Sequence, residues 1–128
     1  GPKGWYEASD ALDETIRTQF METWEAACAG KFSLWLTYPS GVLAYVILMD
    51  QFSRNMFRGQ GKAFSSDRVA LAAAKSAIER NWDMKIDEPA RQFFYLALAR
   101  ASTAAEVAYI AQGGYGGTLR AVEQAQAA

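Results

Sequence analysis

Apolar residues recur along this chain at helical spacing. In "SDALDETIRTQFMETWEAACAG", Leu12, Ile16, Phe20 and Trp24 stand four apart, and Ala27 and Cys28 extend the same side. That spacing predicts an amphipathic helix from about Asp10 to Ala29. Ser9 or Asp10 would cap it, and Asp10, Asp13 and Glu14 suit the positive end of its dipole. Gly30 stops it. The connector "KFSLWLTYPSG" carries apolar anchors at Phe32, Leu34, Trp35 and Leu36. Thr37 is a candidate cap for the next helix, and Pro39 suits its first turn, where a missing N–H costs little. From Gly41 to Met49 this helix is apolar on all sides, which predicts the central, most buried element. It runs on to about Phe57, and Gly59 and Gly61 break it.

Three further helices are expected downstream. "SSDRVALAAAKSAIERN" has Ser65 or Ser66 as cap and Asp67 at its start. "DEPARQFFYLALARA" has Asp87 as cap and Pro89 in its first turn. "STAAEVAYIAQGG" pairs Thr103 with Glu106 in a capping box and stops at Gly113. The tail from Thr118 to Ala128 reads as weakly helical. No segment alternates apolar and polar residues over a useful length, so no sheet is expected. The expected fold is all-α: one domain over residues 1–128, with five or six antiparallel helices around the buried central one.

Composition narrows the function classes. The chain has 128 residues, 51% of them hydrophobic, which suits one domain with a real core. Thirteen basic against 14 acidic residues leave a net charge of −1, so no nucleic-acid partner is expected. The longest apolar run, Val42 to Met49, falls far short of the ~20 residues a membrane span needs. With no histidine and one cysteine, His-based zinc sites, Ser-His-Asp triads and Cys-His dyads are excluded within the chain. No metal or cofactor is expected. The single cysteine and the absence of an apolar leader core after Gly1 suggest a soluble protein of the reducing cytoplasm. Cys28 reads as a small buried hydrophobe and the aromatic set Trp35, Tyr38, Tyr45, Phe93, Phe94 and Tyr95 as core. Buried tyrosines need hydrogen-bond partners, which Asp50 or Arg54 could supply. "GGYGG" follows a helix and lacks the Lys-Ser/Thr of a phosphate loop, so it reads as a helix stop.

The stretch "LMDQFSRNMFRG", Leu48 to Gly59, departs from this apolar pattern. On a helix, Asp50 and Arg54 lie four apart on one side with Arg58 a turn further, and Gln51 and Asn55 form an adjacent row. Phe52, Met56 and Phe57 cover the other side. Three readings stand. Arg54 and Arg58 tie the helix end to carbonyls or to acids such as Asp67, while Asn55 pins a loop. Alternatively, the two guanidinium groups clamp a small anionic ligand that Asp50 and Gln51 orient. A third is nucleic-acid contact, from Arg54, Arg58 and Lys62 interleaved with Phe52, Phe57 and Phe64.

The same stretch carries a resemblance. "YPSGVLAYVILMDQFSRNMFRGQGKAFSSDRVALAAAKSAIERN" resembles the bacterial family of unknown function numbered 924. Its hallmark Pro-x-Gly, apolar helix, and Leu-Asp-Gln-Phe-x-Arg-Asn-x-Phe-Arg-Gly falls on Pro39, Gly41, Asp50, Gln51, Phe52, Arg54, Asn55, Phe57, Arg58 and Gly59. Met49 stands where leucine is usual. The family's "AFATD" is matched at Ala63 to Asp67, its "RLFFYL" at Arg91 to Leu96, and its "STPEEIAYLAEGG" by "STAAEVAYIAQGG". The resemblance implies an all-helical fold similar to tetratricopeptide-like arrays, although the 34-residue consensus of those repeats is absent. It implies no established function. The family carries a further segment between "FFYL" and "STPEE", with an "MHSE" motif and other histidines; here Leu96 runs almost directly into Ser102. The chain therefore reads as a shortened member or as a sequence from which residues are missing. Two functions remain open. One is a non-catalytic binding or scaffold module that homo-oligomerises or takes a protein partner through uncovered apolar surface. The other is an enzyme or enzyme remnant acting on a small anion, with Arg54 and Arg58 as clamp and Asp50 as acid–base.

Overall fold

The computed structural model describes the backbone of residues 2–101 and the side chains of residues 10–100. Among them the fold is all-α, with no strand. Helix α1 spans Pro2–Cys28, α2 Pro39–Val46, α3 Ser53–Met56, α4 Asp67–Glu79 and α5 Gln92–Ala101. A π-helical turn, Ile47–Phe52, joins α2 to α3 without a break, so these three segments form one central rod. Four rods are thus described, fewer than the five or six helices expected. The helix expected around Thr103 to Gly113 and the tail beyond it lie outside the described residues.

Helix α1 starts at Pro2, so Ser9 and Asp10 are interior positions, not caps. Its inward stripe is Asp13, Ile16, Phe20, Trp24 and Ala27. Leu12 is 53% exposed, whereas Asp13 is buried. The spacing 13, 16, 20, 24, 27 follows the 3.6-residue turn better than an unbroken four-residue step does. Ala27 takes the last inward position, which leaves Cys28 exposed rather than buried as expected. Gly30 and Gly59 end their helices at φ +80° and +82°, a backbone region costly for residues with a Cβ.

The connector folds into a 3₁₀ turn, Ser33–Thr37. Leu34 and Tyr38 point outward, and only Phe32, Trp35 and Leu36 pack against the core. Thr37 does not cap α2. Its hydroxyl donates to the Leu34 carbonyl, and Tyr38 holds the cap position. Pro39 does sit in the first turn. A Cβ on Gly41 would lie 2.2 Å from the Trp35 carbonyl oxygen and 2.6 Å from the Tyr38 ring. That contact fixes how the connector folds onto the rod and explains the Pro-x-Gly entry.

The rod supplies much of the core, with Val42, Val46, Leu48, Met49 and Met56 all buried. It is not buried all round: Ala44 is exposed, and Leu43 and Ile47 are half-buried. The wide π turn lets Leu48, Met49 and Asp50 face inward in succession. Helix α4 packs on the rod and α5 through Ala70, Ala73, Ala74 and Ala77, whose small side chains permit close approach. Phe94 and Leu98 of α5 complete the core. Ser66 precedes α4 without capping it by a side-chain bond. Its hydroxyl turns inward, donates to the Met49 carbonyl at 2.6 Å and accepts from the Trp24 indole at 3.3 Å. One hydroxyl thereby joins α1, the rod and α4. Helix α5 starts at Gln92, later than expected; Glu88–Pro89 is a cis peptide in the preceding turn, and Asp87 is not its cap.

Candidate functional site

The polar stripe splits into two nodes. The reason is local: α3 ends at Met56, and Phe57 adopts φ −121°, ψ 32°. Arg58 therefore leaves the row that Asp50 and Arg54 share.

At the first node Asp50 is 2% exposed, and both its carboxylate oxygens are engaged. Oδ1 accepts from Arg54 Nη1 at 2.8 Å. Oδ2 accepts from Gln51 Nε2 at 2.9 Å and faces Arg100 Nη1 at 3.3 Å. Arg54 Nη1 also reaches the Asp50 carbonyl. Nη1 and Nη2 also donate to the two oxygens of the Asp67 carboxylate, 3.0 Å at each contact, and the guanidinium lies over the Phe64 ring. The rod, the start of α4 and the end of α5 converge here. Burial pushes the Asp50 carboxyl above the ordinary aspartate range, against the pull of Arg100 and Arg54.

Asp13 of α1 forms the second node. Its Oδ1 accepts from Asn55 Nδ2 at 2.8 Å and Arg58 Nη2 at 3.1 Å, and its Oδ2 from Arg58 Nε at 2.6 Å. These bonds, Arg58's first, hold the Asp13 carboxyl below its usual range despite partial burial. Arg58 remains 57% exposed along its side chain. Nearby, Arg17 donates from Nε to the Met56 carbonyl at the end of α3 and pairs with Glu14.

All five residues singled out in the sequence, Asp50, Gln51, Arg54, Asn55 and Arg58, thus carry internal hydrogen bonds. Asp67 is among their partners, as one reading required. Asp13 and Arg100 were missed. For Asp13 a signal existed, since it is the one acid in phase with the inward stripe of α1. Arg100 has no sequence signal, because only the tertiary fold brings it fifty positions back to Asp50. The tyrosine expectation also needs correction: Tyr95 donates to the buried Asp83 at 2.6 Å, not to Asp50 or Arg54. Within the aromatic set Phe94 is core, whereas Tyr38 is 47% exposed. Among the described residues no group of three or more acids or cysteines is placed to hold a metal ion, and no helix is long and apolar enough to cross a membrane.

A rod with a π turn, locked at its polar end by two carboxylate nodes, defines an all-helical domain built around this motif. The chain belongs to the family described as bacterial protein of unknown function, DUF924, whose model matches residues 1–103. The solved structure of ATU0120 from Agrobacterium tumefaciens, itself a protein of unknown function, is similar in fold with a TM-score of 0.76. The two are 30% identical, over 99% of this chain and 72% of that one. No curated protein matches.

Proposed function

We propose that the chain is a non-catalytic helical binding or scaffold module, and that the Asp50–Arg58 stripe fastens its fold. The observation that carries this reading is the filled fork of Arg54. An arginine kept for phosphate or carboxylate ligands offers its paired N–H groups to solvent. Here Asp67 and Asp50 already occupy them. Asp50 is as fully engaged, which leaves it poorly placed to exchange a proton with a substrate.

A binding module needs open apolar surface, and the rod has some. Phe20, Trp35, Ala44, Ile47 and Phe52 line a groove of about 240 Å³ between α1, the connector and the rod. We take this face, in a tetratricopeptide-like arrangement, as the surface that a protein partner or a second copy covers in a cytoplasmic setting. Light scattering at high micromolar concentration should report a homodimer or larger, and a monomer contradicts self-association.

Thermal shift separates the scaffold from the rival small-anion enzyme. Phosphate and small carboxylates at millimolar levels should move the melting temperature of wild type and Arg54→Ala alike. A rise in the wild type that Arg54→Ala abolishes overturns the reading in favour of the anion clamp.

A further inference from the structure

Tyr45 is only 8% exposed, yet its hydroxyl makes no hydrogen bond to any described residue. A phenol sealed from water without a partner is costly, so native structures rarely leave one. Among the described residues no fully sealed side-chain polar atom lacks a partner. The Tyr45 hydroxyl is therefore not fully sealed, and the Tyr45 side chain lines a pocket. The pocket measures about 250 Å³ and is walled by Leu36, Val42, Val69, Ala72 and Ala73, with Ser76 beside them.

Its origin is legible in the helices. Val42 and Tyr45 stand three apart on α2. Val69, Ala72, Ala73 and Ser76 stand at i, i+3, i+4 and i+7 on α4. The alanines let α4 approach the rod but cannot fill the space at its edge. Leu36 of the connector adds to the wall, and the 43%-exposed Val69 stands at the surface. Among the described residues no charged side chain lines the pocket. Its polar lining residues are Tyr45 and Ser76, and the Ser76 hydroxyl also has no hydrogen bond to a described residue. Burial raises the Tyr45 phenol above its ordinary value, so at neutral pH it remains a donor.

We propose that this pocket is a binding site for a neutral, mostly apolar small molecule whose carbonyl or hydroxyl oxygen accepts the Tyr45 O–H. A cavity of about 150 Å³ holds benzene, so this one has room for a ring with one short substituent. With no cation among the described lining residues, carboxylates and phosphates would enter without a counter-charge. No residue of the polar stripe lines the pocket, so the inference stands or falls apart from the scaffold reading.

Three probes of one size test it by NMR titration of the full chain: acetophenone, ethylbenzene and benzoate. Acetophenone should bind saturably, a few fold to about tenfold more tightly than ethylbenzene, the range one net hydrogen bond supplies. Benzoate should not bind. Tyr45→Phe should bring acetophenone down to the level of ethylbenzene and leave ethylbenzene unchanged. Ala72→Leu, at an exposed position on the pocket wall, should abolish both while the circular dichroism spectrum stays helical. No saturable binding in the low millimolar range means that the pocket holds only water and overturns the proposal. So does acetophenone binding that Tyr45→Phe leaves untouched.

Discussion

Asp50 and Asp13 each accept hydrogen bonds from an arginine of the same short stretch, Arg54 in one case and Arg58 in the other. Both side chains expose very little surface, 3% and 7%. Their carboxyls nevertheless shift in opposite directions, Asp50 upward and Asp13 downward. Depth explains the difference. Arg58, the main partner of Asp13, is itself more than half exposed to water. Asp50 lies under three converging elements, where desolvation outweighs two arginines and Asp67 adds a like charge. Accessible surface alone therefore misjudges an ion pair; what matters is how far water stands behind the first layer.

The largest effect that tests this contrast is Asp50→Ala. It leaves Arg54 and Arg100 without their shared acceptor, and breaking a buried pair costs about 3–5 kcal/mol. Because Asp67 still holds Arg54, the expected loss in urea unfolding is near the lower end, about 3 kcal/mol. Asp50→Asn keeps hydrogen-bonding capacity and should cost clearly less. Asp13→Ala should cost about 1–2 kcal/mol, because Arg58 can turn to water. A loss at Asp13 equal to that at Asp50 breaks the distinction by depth.

How much of this was legible beforehand depended on distance along the chain. The Asp50–Arg54 pair, the Pro39 entry, the stops at Gly30 and Gly59 and the inward Ile16, Phe20, Trp24 and Ala27 of α1 were legible locally, and the structure keeps them, whereas Leu12 and Cys28 of the same expected side are exposed. The Arg54–Asp67 bridge, 13 positions apart, was one of several candidate ties. Asp13 was assigned to the helix dipole because α1 was expected to begin beside it. With the helix starting at Pro2, Asp13 sits mid-helix and its work is tertiary. The π turn inserts into an apolar run whose residues suit an α-helix equally well, so nothing local announces it. The unpartnered Tyr45 hydroxyl was hidden among residues read as core, because a hollow beside Ala72 and Ala73 arises from helix placement.

pH sharpens the comparison next. Asp13 titrates below 3.8 in the fold, so its ionised form stabilises the chain above that pH, and the contribution drains away as pH falls through the lowered native value. For Asp50 the sign is reversed. Its contribution is full below 3.8 and is lost as pH rises through the raised native value. Urea unfolding of wild type, Asp13→Asn and Asp50→Asn between about pH 3 and 7 reads both. The deficit of Asp13→Asn against wild type should shrink toward acid, and that of Asp50→Asn toward neutrality. Parallel trends would mean that both carboxylates share one environment.

Salt gives the smallest effect and the most direct measure of water's distance. At about 1 M ionic strength the Debye length falls to roughly 3 Å, against about 10 Å at 0.1 M. Mobile ions can reach the exposed flank of Arg58 and screen its pair with Asp13. They cannot reach Asp50 without opening the junction of the rod, α4 and α5. Salt also changes hydrophobic stability, so single variants would mix the two effects. A double-mutant cycle cancels the shared part. The Asp13–Arg58 coupling should lose a few tenths of a kcal/mol between the two salt levels, most of what a solvent-facing pair is worth. The Asp50–Arg54 coupling should hold steady. If both fall together, water reaches Asp50 as easily as Asp13, and depth is not what separates the two nodes.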